Sequence, residues 1–105
     1  MTTVADWHTR ALDVTGRVAA AIPADRWHAR TPCPEWDVRG LVSHLVSGNL
    51  WAAELGAGQT IEQVGERLDG DLLGADPAAA YAASARAASA VFHRPGALEA
   101  PCAVS

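Results

Sequence analysis

The chain has 105 residues, half of them hydrophobic but only 6% aromatic, with a net charge of −4 and a pI near 5.4. That length fits one domain, and the scattered, acid-leaning charge excludes the clustered basic face that nucleic-acid binding requires. Charged residues interrupt every apolar stretch well short of the roughly 18 residues that cross a bilayer, so no membrane span is expected.

The N-terminal Met1–Asp6 has neither a basic nor an apolar region of the kind that opens a signal peptide. Cys33 and Cys102 lie far apart and in no CxxC pattern, which predicts free thiols and a reducing, cytoplasmic setting. Alanine supplies much of the apolar count; it favours helix but brings little area to a core. A domain this small is of marginal stability or assisted by a partner.

The spacing predicts a first helix over Thr3–Ile22, because Trp7, Ala11, Val14, Val18 and Ile22 form one apolar stripe, with His8, Asp13 and Arg17 off it. Pro23 stops it. From Pro23 to Trp36 three prolines and two tryptophans predict an ordered loop packed on the helices. Asp37 is a helix N-cap, with Trp36 and Leu41 placed for a hydrophobic staple. Val38, Leu41, Val42, Leu45, Val46, Ala52 and Ala53 share one broad face of this second helix, which ends near Gly56 or Gly58. Ile61, Val64 and Leu68 suggest a short helix, and Gly70 and Gly74 interrupt the segment after it. Asp76-Pro77 opens the third long helix, which runs through Tyr81, Ala85, Ala88 and Phe92 to Pro95-Gly96. Ala97–Ser105 reads as a strand or a loose tail. Long helices most commonly close as four-helix bundles, so a further helix is expected from a partner or from outside this chain.

His44 is the residue that best suits chemistry. It lies on the flank of the second helix's apolar face, with Gly40 and Gly48 one turn to either side and Trp51 further along the same stripe. Glycine in a helix interior costs up to about 1 kcal/mol, so space beside the imidazole has a reason. One reading is a metal ligand facing a cavity; the other is a partly exposed helical histidine beside close-packed backbones. Asn49 falls near the centre of the apolar face and needs partners, either a bound molecule or another helix. His8, His28 and His93 sit on separate segments, without metal-ligand spacing. Cys33 lies between two prolines with no base nearby in sequence. Glu62/Glu66 and Asp69/Asp71 read as solvated surface.

The stretch Thr31-Pro32-Cys33-Pro34-Glu35-Trp36-Asp37-Val38, continuing to Leu41-Val42-Ser43-His44-Leu45-Val46, resembles the N-terminal domain of mycothiol-dependent maleylpyruvate isomerase and its relatives, which are DinB-like helical bundles. Leu68–Gly74 before Asp76-Pro77, and Phe92–Leu98, are similar to the same family. The resemblance implies an all-α, up-and-down four-helix bundle with a divalent metal, usually zinc, at one end. His44 matches the family's second-helix ligand; Asn49 and Trp51 would line the pocket that takes the thiol cofactor. The other ligands, a Glu or His and a His one turn later, belong to a fourth helix that this chain lacks. Zinc at a catalytic site takes three protein ligands and a water, so the chain reads as a single, partial domain. The chemistry implied is a thiol-dependent isomerisation or transfer on a small-molecule substrate, in which the cation lowers the pKa of mycothiol or another low-molecular-weight thiol. No catalytic residue is identified. A homodimer could complete the bundle, and a dimerisation module without chemistry is the alternative.

Overall fold

The computed structural model describes residues 2–99, which form helices α1 (Val4–Ala20), α2 (Val38–Gly56), α3 (Ile61–Val64) and α4 (Pro77–Phe92). Among the described residues there is no β-strand, only an isolated bridge between Arg30 and Asp37. The fold is all-α. Cys102 and most of the expected tail lie outside the described residues; Arg94–Glu99 is a series of turns.

Side chains that accept from the first free backbone amides set each helix start. Thr3 and Asp6 make a reciprocal capping box on α1, with Asp6 N donating to Thr3 Oγ1 at 3.1 Å and Thr3 N to Asp6 Oδ2 at 3.0 Å. Asp37 Oδ1 accepts from Gly40 N at 2.8 Å on α2, and Asp76 Oδ1 from Ala79 N at 3.1 Å on α4, where Pro77 takes the first helical position. After α2 the chain turns at Gly58, whose φ of +100° suits glycine alone.

Helix α4 is the hub: it packs on both α1 and α2, which share no comparable contact with each other. Thr9 Oγ1 meets Ser89 Oγ at 2.7 Å and Tyr81 OH donates to Leu12 O at 3.3 Å, so α1 runs antiparallel to α4. Asn49 Nδ2 donates to Ser84 Oγ at 3.1 Å and Gly56 lies against Val91 and Phe92, so α2 runs parallel to α4. Val42, Val46, Leu73 and Tyr81 form the core, with Ile22, Trp27 and Leu50 packed around them. Trp27 thus anchors the expected ordered loop, which Arg39 N to Trp27 O (2.7 Å) and Val38 N to Ala29 O (3.0 Å) tie to α2.

The apolar stripe of α1 points away from this core. Ala5, Leu12 and Ala19 are the buried residues, while Trp7, Val14 and Val18 are exposed. The small side chains on the buried face allow close approach: a Cβ on Gly16 would sit 3.2 Å from Tyr81 Cε1.

Two helical glycines on α2 respond oppositely to alanine. A Cβ on Gly56 would lie 2.5 Å from Val91 Cγ1, on a stiff β-branched side chain. Overpacking of about 1–3 kcal/mol outweighs the gain in helix propensity of roughly 1 kcal/mol, so Gly56→Ala lowers stability in urea unfolding. A Cβ on Gly48 meets nothing within 4 Å, and Gly48→Ala raises stability by up to about 1 kcal/mol.

His93 ties the start of α1 to the end of α4. Its Nε2 donates to Asp6 Oδ1 at 3.0 Å and its Nδ1 lies 2.9 Å from Ser89 O. The Ser89 carbonyl and the Asp6 carboxylate are acceptors and favour the imidazolium; the Ser89 carbonyl, then the Asp6 carboxylate, raise the His93 pKa above its ordinary value. A raised histidine pKa contributes stability that is complete below the unfolded value near 6.5 and lost as pH rises through the folded one. The thermal midpoint should therefore fall as pH increases from about 6 to 8, and His93→Gln should flatten that slope; an unchanged slope in the variant would exclude the tie.

Candidate functional site around His44

His44 stands exposed on the second turn of α2, and its ring stacks on Trp36 with centroids 4.4 Å apart and planes 24° from parallel. Trp36 precedes the helix and lies over Gly40: a Cβ there would come within 3.2 Å of both Trp36 Cβ and Cδ1. Gly40 therefore lets the indole lie flat against α2 and reach the imidazole one turn on. Gly48, on the other side of His44, faces open space. Of the two glycines expected to clear room for a neighbour, one serves Trp36 and the other leaves the next turn open.

The His44 ring lines a cleft of about 490 Å³ between α2 and the 68–71 segment. Three side chains of α2 stitch that segment in place. Ser43 Oγ donates to Gly70 O at 3.3 Å and accepts from Leu72 N at 3.1 Å. Ser47 Oγ donates to Leu68 O at 3.4 Å. Arg39 Nε reaches Asp71 Oδ2 at 2.9 Å, and its Nη2 donates to Gly74 O at 2.8 Å. Leu73 N and Arg39 hold the Asp71 carboxyl below the usual carboxylate range, the backbone bond contributing most.

Asp69 and Asp71 are exposed, as expected from the sequence, and this arrangement also sets them at the wall of the His44 cleft. Asp71 is spent on Arg39 and Leu73. Among the described residues the Asp69 side chain has no hydrogen-bond or ion-pair partner, which leaves it the uncommitted carboxylate of the cleft. No spacing rule relates positions 44 and 69; the folded segment does.

The other histidines stand apart. His8 packs edge-on against Phe92 at 5.2 Å with its Nδ1 buried, His28 pairs with Asp37 at 3.0 Å, and His93 with Asp6. Asp37 uses Oδ1 to cap α2 and Oδ2 to face His28; the Gly40 amide, then His28, lower its pKa. Asn49 is half-buried, and its amide donates to Ser84 across the α2–α4 contact. Trp51 is half-buried two turns beyond His44 and does not line the cleft. Cys33, a free thiol, shares a second cleft with His28 on the far side of Trp36.

Among the described residues, no three His, Cys, Asp or Glu side chains come together as a metal-binding group. By themselves they do not fit a catalytic zinc, which needs three protein ligands; His44 lines the cleft from α2 and Asp69 from the facing 68–71 segment.

Two proteins from different strains of Mycobacterium tuberculosis, both described as uncharacterized, are 35% identical to the chain over 97 residues, covering 89% of it and 47% of their own length. The chain thus spans about half the length of the curated relatives it matches. No solved structure matches significantly. The family model for the mycothiol maleylpyruvate isomerase N-terminal domain matches residues 8–101, nearly the whole chain with the His44 cleft inside it, and the chain belongs to that family.

Proposed function

We propose that this chain carries the His44 part of a divalent-metal site, zinc by preference, that uses a low-molecular-weight thiol such as mycothiol in isomerase or transferase chemistry on a small molecule in the cytoplasm. The carrying observation is the stack of Trp36 on His44 at the mouth of a cleft that also holds the uncommitted Asp69. Family membership over residues 8–101 supports the same reading. The remaining donors come from outside residues 2–99. Asn49, tied to Ser84, and Trp51, outside the cleft, have a place in thiol binding only if that added element extends the cleft along α2.

The test is metal binding by the protein as its gene encodes it. Zinc, nickel or cobalt titrated calorimetrically should bind at one site per chain and lose that site in His44→Ala. Absence of binding in the wild type, or equal binding in the variant, would overturn the proposal.

A second reading, an association module without chemistry, rests on the exposed apolar stripe of α1. In its simplest form the partner is a second copy, giving a metal-free dimer at micromolar concentration; light scattering that shows a folded monomer removes that form.

A further inference from the structure

The chain between α3 and α4 walls the His44 cleft from two firm feet. At the first, Val64 is 1% exposed and Gly65 N donates to Ile61 O at 2.9 Å, closing α3. At the second, Leu73 is 2% exposed, and Arg39 holds Asp71 Oδ2 at 2.9 Å and Gly74 O at 2.8 Å. Ser43 Oγ adds Leu72 N at 3.1 Å and Gly70 O at 3.3 Å.

Between the feet the hold is weaker. Among the described residues, two polar ties join Glu66–Asp69 to α2. Ser47 Oγ lies 3.4 Å from Leu68 O, long for a hydroxyl donor. Arg67 reaches Glu54 at 3.6 Å, with both side chains partly in water, where ion pairs contribute little. Leu68 is half-buried, while Glu66, Arg67 and Asp69 are exposed. The turn bond from Asp69 N to Glu66 O, 3.1 Å, lies inside the segment and moves with it. Gly65 and Gly70 flank the segment with φ of +58° and +82°, values that glycine adopts without strain. Hinges absorb backbone rotation at a few such loop positions, and segments with few buried contacts open before the rest of a fold.

We infer that Glu66–Asp69 is a flap that swings off α2 about Gly65 and Gly70 while both feet stay in place. Leu68 and Asp69 line the His44 cleft from this flap. Opening therefore removes part of one wall of the cleft and admits a small molecule from the side; closing returns the Asp69 carboxylate to it. The gating role rests on the cleft being the binding site proposed above, whereas the motion itself does not.

Trypsin tests the motion with neither metal nor ligand present. Cutting Arg67–Leu68 requires the flap to leave α2, whereas cutting after Arg86 requires α4 to unravel. Cleavage follows the population of the open form when reclosing is faster than the protease. Ser47→Ala removes the hydroxyl pin and should speed cleavage at Arg67 about fivefold, the effect of one net hydrogen bond, with the rate at Arg86 unchanged. Cleavage of the wild type at Arg67 should also respond only weakly to low urea, because a four-residue flap exposes little surface. No acceleration at Arg67, equal acceleration at Arg67 and Arg86, or a urea dependence at Arg67 as steep as that of global unfolding would overturn the inference. A failed metal titration would leave these rates untouched, so the two proposals stand or fall separately.

Discussion

Replacing Tyr81 with alanine should remove most of the protein's stability. Tyr81 is 3% exposed near the start of α4 and belongs to the core with Val42, Val46 and Leu73. The same ring packs under Gly16 of α1, and its hydroxyl donates to Leu12 O. One side chain therefore joins α1 and α2 to the hub, and fixes the segment that carries Leu73. Truncating a buried aromatic ring to alanine costs about 3–5 kcal/mol, while a small domain has a total near the lower end of about 5–15 kcal/mol. Tyr81→Phe keeps the ring and gives up one hydrogen bond, for about 0.5–1.5 kcal/mol. Circular dichroism with urea titration separates the two variants; a Tyr81→Ala protein with a midpoint near wild type would show that the hub does not depend on this residue.

His44→Ala should lower divalent-metal affinity by at least the roughly 10–100-fold typical of losing an outer-shell partner, since a direct ligand matters more. The residue is exposed, so the same change should alter stability by no more than about 0.5 kcal/mol. Trp36→Leu tests the shelf beneath it. The imidazole remains but loses the surface that fixes its plane, and affinity should fall by about 10-fold, toward the lower end of the same range. The upfield ring-current shift of the His44 protons should disappear in the nuclear magnetic resonance spectrum of Trp36→Leu. Loss of that shift with unchanged metal affinity would mean that the stack is incidental. Unchanged affinity in His44→Ala would mean that His44 is not a ligand.

Signals in the chain are legible where they act locally. Asp37 and Asp76-Pro77 mark the starts of α2 and α4, and glycine marks the end of α2. The stripe on α1 is equally legible, but its direction is not. The face that meets α4 is Ala5, Leu12, Gly16 and Ala19, whose mostly small side chains weigh little in a hydrophobic pattern. The larger Trp7, Val14 and Val18 dominate that pattern from the exposed side. His44 stands out by its two glycines and by the family resemblance. Its partners do not: spacing offers Trp36 to Leu41 as a staple, whereas its stack on His44 depends on the absence of a Cβ at Gly40. Asp69 enters the cleft because Ser43, Ser47 and Arg39 hold a distant loop, and side-chain bonds across such separations leave no periodic trace.

The hub is also the last of the described helices to be made. On a ribosome α1 and α2 emerge while α4, the long helix that both of them pack against, is still to be synthesised. Domains generally fold as units during synthesis, but here no early subunit can settle. The faces of α1 and α2 that hold Leu12 and Val46 have no cover until Phe92 has been added. An mRNA lesion or a stalled ribosome anywhere before α4 would release α1 and α2 without their shared support, a natural substrate for proteolysis.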